Sequence, residues 1–143
     1  MATWLIDPID KAERASGYFN ATVRDYARLG WPMANDGSVG EQTNPSRESL
    51  LDMTDPLRQP APFRPGTLNY RDIPFGYGLH TWLAPGSGQR FVAFGSYGQA
   101  ILVDPALKLV MVHTAVEREA AGGRWEAERA ALWQGVVQHH GGQ

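Results

Sequence analysis

The sequence predicts an α+β fold of the sandwich type, and two observations predict it. Four short apolar runs separated by turn residues lie between residues 77 and 116, as an antiparallel meander of three to four strands requires. A stretch with helical apolar periodicity then ends the chain, so we expect a C-terminal helix packed on the meander. One separate helix and a proline-rich arm are expected to lie apart from this unit.

The first helix is predicted to begin at Asn20 or Thr22, since either residue can cap it. Thr22 and Asp25 stand three residues apart, as in a capping box. Pro32 and the Asn-Asp-Gly that follows predict an end near residues 31–35. The residues that share one face of this helix are Val23, Tyr26, Ala27, Gly30 and Trp31.

A proline-rich segment follows the first helix. Residues 36–75 hold six of the ten prolines, and only one short helix is predicted there, near residues 46–53. A connection of this length and composition is typical of a segment draped over a surface. We therefore expect residues 1–75 to be a helical and loop portion, and residues 76–143 to hold the sheet and the C-terminal helix.

The sheet is predicted to be apolar on both faces. Its strand candidates lie over residues 77–85, 90–96, 99–105 and 107–116. In the last of them, Val110 and Val112 alternate with Leu109 and Met111, so both sides of the strand are apolar. A strand of this kind is covered on both faces in a folded protein.

The C-terminal helix can cover one face of this sheet. Its predicted buried stripe consists of Trp125, Leu132, Trp133, Val136 and Val137. The first helix and the proline-rich arm are poor candidates for the opposite face. We therefore expect the chain to require more protein than it contains.

The bulk composition excludes several classes of function. A formal net charge of −2 provides no basic surface for nucleic acid or an anionic membrane. The absence of cysteine excludes thiol catalysis and cysteine-bound metals. The N-terminal residues show no signal peptide, and no apolar run reaches the roughly 20 residues of a membrane helix. A cytoplasmic protein without nucleic-acid or membrane partners is expected.

The four histidines predict no metal site. His80 and His113 stand alone in separate predicted strands, which is more typical of structural residues than of a metal pair. His139 and His140 lie in the C-terminal tail, where metal binding is adventitious. Neither a metal nor a cofactor is predicted.

The stretch FVAFGSYGQAILVDP, residues 91–105, interrupts a predicted strand with Gly95 and Gly98. Strand interiors disfavour glycine unless the chain bulges or bends, or a ligand approaches the backbone. Tyr97 between them is either an aromatic strand residue or the wall of a pocket. On residue types alone, a bulge and a site both remain open.

Two stretches resemble successive motifs of one protein family. GYFNATVRDYARLGWPMANDG, followed by FVAFGSYGQAILVDPALKLVMVHTA, is similar to the β-lactamase and penicillin-binding-protein class of serine hydrolases. The nearest branch contains the class C-like esterases and the 6-aminohexanoate-dimer hydrolases. The order and separation of the motifs agree with this family, and the likeness extends over nearly the whole chain. The resemblance implies a hydrolase of esters or amides, with residues 1–143 as its C-terminal part.

The resemblance assigns roles to three residues. In β-lactamases, Lys-Thr-Gly-Ser stands on the strand that lines the substrate, and here residues 93–96 read Ala-Phe-Gly-Ser. The lysine is absent, as in the esterase branch, which argues against penicillin as substrate. Gly95 is expected to leave room for the substrate, the Ser96 N–H to be one of two oxyanion donors, and Tyr97 to flank them.

The family's nucleophile motif, Ser-x-x-Lys, is missing. None of the six serines is followed by lysine three residues later. The resemblance therefore implies a chain truncated relative to the family and inactive alone, without a catalytic residue of its own. Two alternatives remain: a non-catalytic binding domain on the same scaffold, or one chain of a split hydrolase. The expected partner is a chain with the N-terminal half of the fold, or a second copy bound through the uncovered sheet.

Overall fold

The computed structural model describes residues 2–13, 17–70, 73–86, 88–121 and 125–142. In chain order the strands of these ranges are β1 (Thr3–Trp4), β2 (Phe19–Asn20), β3 (Ser38–Val39), β4 (Gln42–Thr43), β5 (Leu68–Tyr70), β6 (Ile73–Tyr77), β7 (Trp82–Leu83), β8 (Phe91–Phe94), β9 (Ala100–Asp104) and β10 (Leu109–His113). The helices are α1 (Val23–Ala34), α2 (Arg47–Thr54) and α3 (Trp125–His139). Short 3₁₀ turns lie at Pro56–Arg58, Ala61–Phe63 and Ser96–Gly98.

A six-stranded antiparallel sheet is the largest sheet in the described ranges. Its strands lie side by side in the order β10-β9-β8-β7-β6-β5, so strands adjacent in sequence are adjacent in space. This is the meander that the short apolar runs predict. The α+β class is therefore confirmed, with α3 at the C-terminal end as expected.

Two of the six strands come from the proline-rich segment, where no strand was expected. β5 begins at Leu68, inside the portion assigned to helices and loops. Pro74 lies in β6 and pairs with Asn69 of β5. On its other side, β6 pairs with β7 only through Gly76 and Tyr77. Proline therefore blocks no hydrogen bond toward β7, and the strand tolerates it. The expectation of three to four strands is wrong because proline and glycine mask the apolar alternation here.

α1 packs on one face of the sheet, so the expectation that this helix lies apart is wrong. A Cβ atom at Gly30 would lie 2.6 Å from Val110 Cγ1 and 3.2 Å from Ile101 Cγ2. The small side chains on this helix let its backbone approach the strands closely. The core between helix and sheet consists of Ala34, Leu83, Phe91 and Val103, with Met33, Ile101 and Val110 packed against it.

The start of α1 shows the Thr22 cap of the predicted capping box, with Asp25 bonded to the Thr22 hydroxyl. Thr22 is the N-cap, and its Oγ1 accepts from the Asp25 N–H at 3.2 Å and donates to Asp25 Oδ2 at 2.8 Å. Arg28 Nη1 donates to Asp25 Oδ1 at 2.8 Å. The Thr22 hydrogen bond, and then that of Arg28, hold the pKa of Asp25 below its ordinary value. The helix ends at Ala34, within the predicted range.

α3 covers the opposite face of the sheet. Val137 is fully buried and Trp133 packs against the second core cluster, as predicted. Leu132, however, is 55% exposed, so its place in the predicted stripe is wrong. The side chain of Trp125 lies outside the described residues. Arg129 is buried instead, a position that an apolar stripe cannot reveal. The second cluster contains Val92, Ala100 and Leu102, with Trp82, Phe94 and Met111 against it.

The proline-rich segment is fixed to the sheet through α2. Leu50 of α2 is buried, and Thr81 Oγ1 donates to the Met53 carbonyl at 2.8 Å. A Cβ atom at Gly78 would overlap that same carbonyl oxygen, so the two segments touch at the backbone. The expected separate arm is therefore part of the packed unit. None of the helices in the described ranges has the length and apolar character needed to cross a bilayer.

Candidate functional site

A cleft of about 830 Å³ opens at one end of the sheet. Its described lining comes from residues 17–20 and Tyr26 on one side, and from residues 93–97, 99–101 and 112–114 on the other. This lining contains no Lys, Arg, Asp or Glu. The stretch that the sequence singled out therefore lies along an open, largely uncharged cleft.

Residues 95–99, called here the site turn, connect β8 to β9. The Gly95 N–H donates to the Gln99 carbonyl at 2.8 Å and closes the turn. Tyr97 has left-handed backbone angles, φ 60° and ψ 33°, and Gly98 has φ 91°. Phe94 and Ala100 pair in regular register on either side, so the two glycines mark a connection and not a bulge within a strand.

The carbonyls of Ser96, Tyr97, Gly98 and Gln99 in the site turn accept hydrogen bonds. With its amide nitrogen facing the turn, the Gln99 side chain donates to the carbonyls of Tyr97 at 2.8 Å, Ala115 at 3.0 Å and Ser96 at 3.2 Å. The Tyr97 carbonyl also accepts from the Glu117 N–H at 3.2 Å. These bonds fix the peptide planes that follow Ser96.

The Gly98 carbonyl has two side-chain donors. His113 Nδ1 lies 2.7 Å from it, and Arg129 Nη1 lies 3.3 Å from it. Because a carbonyl only accepts, Nδ1 carries the proton of this hydrogen bond. The two donors reach the turn from different elements, β10 and α3.

The Ser96 N–H is left as a donor. Within the described part of the chain it donates to no carbonyl or side chain. Gly95 and Ser96 are exposed, and Tyr97 is 49% exposed beside them. The structure thus brings the three sequence-predicted residues to one exposed edge of the cleft.

The Ser96 hydroxyl is not arranged as a nucleophile. Among the described residues it has no histidine or lysine as a hydrogen-bond partner, and an unactivated hydroxyl is a weak nucleophile. His113, the histidine of the cleft, already uses Nδ1 on the Gly98 carbonyl. No group of three or more potential metal ligands occurs in the described ranges.

The opposite wall of the cleft was missed by the sequence reasoning. Tyr18, Phe19 and Asn20 all line the cleft, and no site role was predicted for them. Phe19 packs edge-on to Tyr26 at a centroid distance of 5.6 Å, and the Tyr26 hydroxyl donates to the Phe19 carbonyl at 2.6 Å. The aromatic residues just before α1 were the signal that could have revealed this wall.

Comparison with known proteins identifies the fold. No protein-family model matches the chain, and no curated protein matches it. Among solved structures, the chain matches one titled "Putative 6-aminohexanoate-dimer hydrolase from Bacillus anthracis" with a TM-score of 0.74. The chain has a β-lactamase-like fold. The two are 24% identical, and the match covers 96% of this chain and 34% of the other.

The likeness confirms the fold that the two sequence motifs imply. This chain spans about a third of the length of the solved hydrolase, so the match concerns one part of a larger β-lactamase-like fold. The likeness in structure extends over nearly the whole chain, as the sequence resemblance does.

Proposed function

We propose that this chain is the C-terminal portion of a β-lactamase-related serine hydrolase that acts on esters or amides. The observation that carries the proposal is the unpaired Ser96 N–H on an exposed turn at the edge of the cleft. Gly95 and Ser96 are exposed, so a substrate can reach this backbone, whereas a Cβ atom at Gly95 would lie 2.9 Å from Gln99 Cβ and is excluded by the turn itself. This chain contributes the substrate-lining strand and one oxyanion donor, and it contributes no nucleophile.

The chemistry assigned to the turn is stabilisation of negative charge. When a serine attacks an ester or amide carbonyl, the carbonyl oxygen becomes an oxyanion, and a backbone N–H aimed at it lowers the barrier. Loss of one such donor costs about 10²–10³-fold in rate. The attacking serine and its base must come from polypeptide outside these 143 residues, since none of the six serines stands in Ser-x-x-Lys.

The charge of the cleft favours a neutral substrate. A penicillin-type carboxylate requires a cationic partner, and Ala93 stands where the β-lactamase lysine would be. The described lining of the cleft holds neither lysine nor arginine. Aromatic side chains, including Phe19 and Tyr97, provide apolar walls. A neutral ester or amide fits this lining better than an anionic substrate does.

The open edge of the sheet supports a split hydrolase as one form of this proposal. Within the described ranges, β10 pairs with β9 on one side only, and its residues Leu109–Met111 are apolar. An unpaired apolar edge is a template for a further strand. A partner chain with the N-terminal half of the fold would extend the sheet there and bring Ser-x-x-Lys to the cleft.

A non-catalytic binding domain is the second candidate function, and one observation favours it. α1 and α3 cover the two faces of the sheet, so the main cores are closed within this chain. A domain of this kind would bind a ligand in the cleft without turnover. It predicts that joining this chain to a nucleophile segment produces no activity.

The test compares the chain alone with a hydrolase chimera. In the chimera, this chain replaces the corresponding C-terminal segment of an esterase of the resembled class that carries Ser-x-x-Lys. With a chromogenic short-chain ester and a fluorophosphonate probe, we expect no turnover or labelling by the chain alone and both by the chimera. Replacement of the Ser-x-x-Lys serine by alanine is the control.

Two outcomes would contradict the proposed function. Robust labelling of the chain alone would show a nucleophile of its own. A chimera that melts cooperatively and yet neither labels nor turns over would favour the binding domain, since its serine would then lack the donor assigned to the site turn.

A further inference from the structure

The geometry points to Gln99, His113 and Arg129 as positioning residues that set the site turn so that the Ser96 N–H remains its available donor. Their effect on catalysis rests on the proposed function, whereas their effect on the turn does not. The sequence predicted only a structural place for His113 and no role for Gln99 or Arg129, and each of the three acts through backbone groups of the turn.

Three successive peptide planes of the turn are held by hydrogen bonds to the carbonyls of Ser96, Tyr97 and Gly98. The Ser96–Tyr97 plane is bonded at both ends, because its carbonyl accepts from Gln99 and its N–H donates to the Ala120 carbonyl at 3.1 Å. The Tyr97 carbonyl accepts from Gln99 and from the Glu117 N–H. The preceding Gly95–Ser96 peptide plane carries the Ser96 N–H. Its orientation is fixed because it lies between these held planes and the end of β8 at Phe94.

Gln99 requires an amide at its end. Its nitrogen lies within 3.2 Å of three carbonyl oxygens, so its two N–H groups are directed at acceptors on every side. A carboxylate of the same size offers only acceptors and would repel these oxygens. This is the chemical reason to distinguish glutamine from glutamate at this position.

His113 and Arg129 together use both lone pairs of the Gly98 carbonyl. Arg129 is only 6% exposed, and its guanidinium carbon lies 5.2 Å from the centre of the Phe94 ring. One buried guanidinium therefore ties α3 to the site turn and to the last residue of β8. The packing of the C-terminal helix is connected to the geometry of the cleft.

The left-handed conformation of Tyr97 shows that the turn needs this support. A non-glycine residue with φ 60° occupies a sparsely populated region and persists where its surroundings over-determine it. When the carbonyl bonds are removed, the turn is expected to relax toward ordinary backbone angles. The Ser96 N–H then leaves the position in which an oxyanion would meet it.

The test pairs disruptive and conservative variants in the full chain. His113→Leu removes the donor to Gly98, whereas His113→Asn keeps an N–H at the place of Nδ1. Gln99→Glu replaces the donating amide with a carboxylate that only accepts. Arg129→Lys keeps a buried cation, whereas Arg129→Met removes it. Hydrogen exchange of the Tyr97 amide, measured by NMR, is expected to rise at least about tenfold in H113L, Q99E and R129M and less than about threefold in H113N and R129K.

The same variants in the hydrolase chimera give the catalytic readout. We expect H113L and Q99E to lower kcat about 10²-fold with KM changed less than about threefold, because a misplaced donor affects the transition state more than the bound substrate. H113N is expected to restore most of kcat. If these side chains served only stability, the substitutions would lower the melting temperature without lowering kcat selectively over KM.

The results distinguish the control of the site turn by these side chains from the proposed hydrolase function. Unchanged Tyr97 exchange in folded H113L and Q99E overturns the inference, as does unchanged kcat in an active chimera whose turn has loosened. Faster exchange together with an inactive wild-type chimera overturns the proposed function and leaves the control of the turn by these side chains standing.

Discussion

At the scale of single residues, Gly98 shows why the site turn accepts so few side chains. Its backbone has φ 91°, a region that side chains disfavour, and a Cβ atom would lie 2.6 Å from Glu117 Oε1 and 2.9 Å from Ala115 Cβ. Glu117 is buried, and its Oε1 has no hydrogen-bond partner in the described chain. The carboxyl therefore packs on the glycine backbone, and both space and conformation require glycine.

Gly98→Ala is predicted to destabilise the chain by about 2–5 kcal/mol, the sum of a left-handed backbone cost and of overpacking. Gly40→Ala is the matched control, because Gly40 has φ 61° and no heavy atom within 4 Å of where a Cβ atom would lie. The control is expected to cost about 1–2 kcal/mol, from the backbone alone. Urea unfolding measures both, and equal losses would show that Glu117 does not restrict this position.

The residues of the turn were only partly predictable. Two glycines around Ser96 and Tyr97 break an apolar run, which identifies the turn from local sequence alone. His113 lies fifteen residues from Gly98, and Arg129 thirty-one residues from it, so only the folded sheet brings them together. No local periodicity carries that information.

At the scale of elements, the small residues of α1 decide where this helix lies. Gly30 and Ala34 face the strands, and each leaves room for the helix to approach the sheet. The apolar face drawn from Val23 and Trp31 was misleading, since both of these residues are exposed. Hydrophobic periodicity weights large side chains, whereas close helix packing here depends on small ones.

Gly30→Ala is predicted to destabilise the chain by about 1–2 kcal/mol, although alanine favours helix, because its Cβ would lie 2.6 Å from Val110 Cγ1. Val110 is β-branched and cannot rotate away freely. Gly135→Ala in α3 is the control, since nothing lies within 4 Å of its Cβ, and it is expected to stabilise by about 0.5–1 kcal/mol. Opposite signs in thermal melts support the placement of α1, and stabilisation by both changes would contradict it.

At the scale of the whole molecule, the chain is a covered sheet with an open edge and an open cleft. α1 and α3 close the two faces, the β10 edge pairs on one side only in the described ranges, and the cleft lies at the end of β8. Sequence motifs were enough to predict the fold and one edge of the cleft. The cover of the second face by α1 could not be predicted, since it depends on contacts between distant segments. The aromatic residues of 17–20 are visible in the sequence, whereas their place on the cleft wall follows only from the fold.

The most direct test of the site is the removal of a single N–H. Ser96 is the first residue of a 3₁₀ turn and follows Gly95 at φ −112° and ψ 163°, a setting that accepts proline. Ser96→Pro therefore deletes the proposed oxyanion donor with little change to the turn, and Ser96→Ala deletes only the hydroxyl.

The decisive measurement is kcat for these two variants in the hydrolase chimera. The proposed role of the backbone donor predicts that S96P lowers kcat by about 10²–10³-fold at nearly unchanged KM and melting temperature, whereas S96A stays within about threefold of the parent. A folded S96P chimera that keeps its kcat, or an S96A chimera that loses it, would contradict the assignment of the Ser96 N–H as the oxyanion donor.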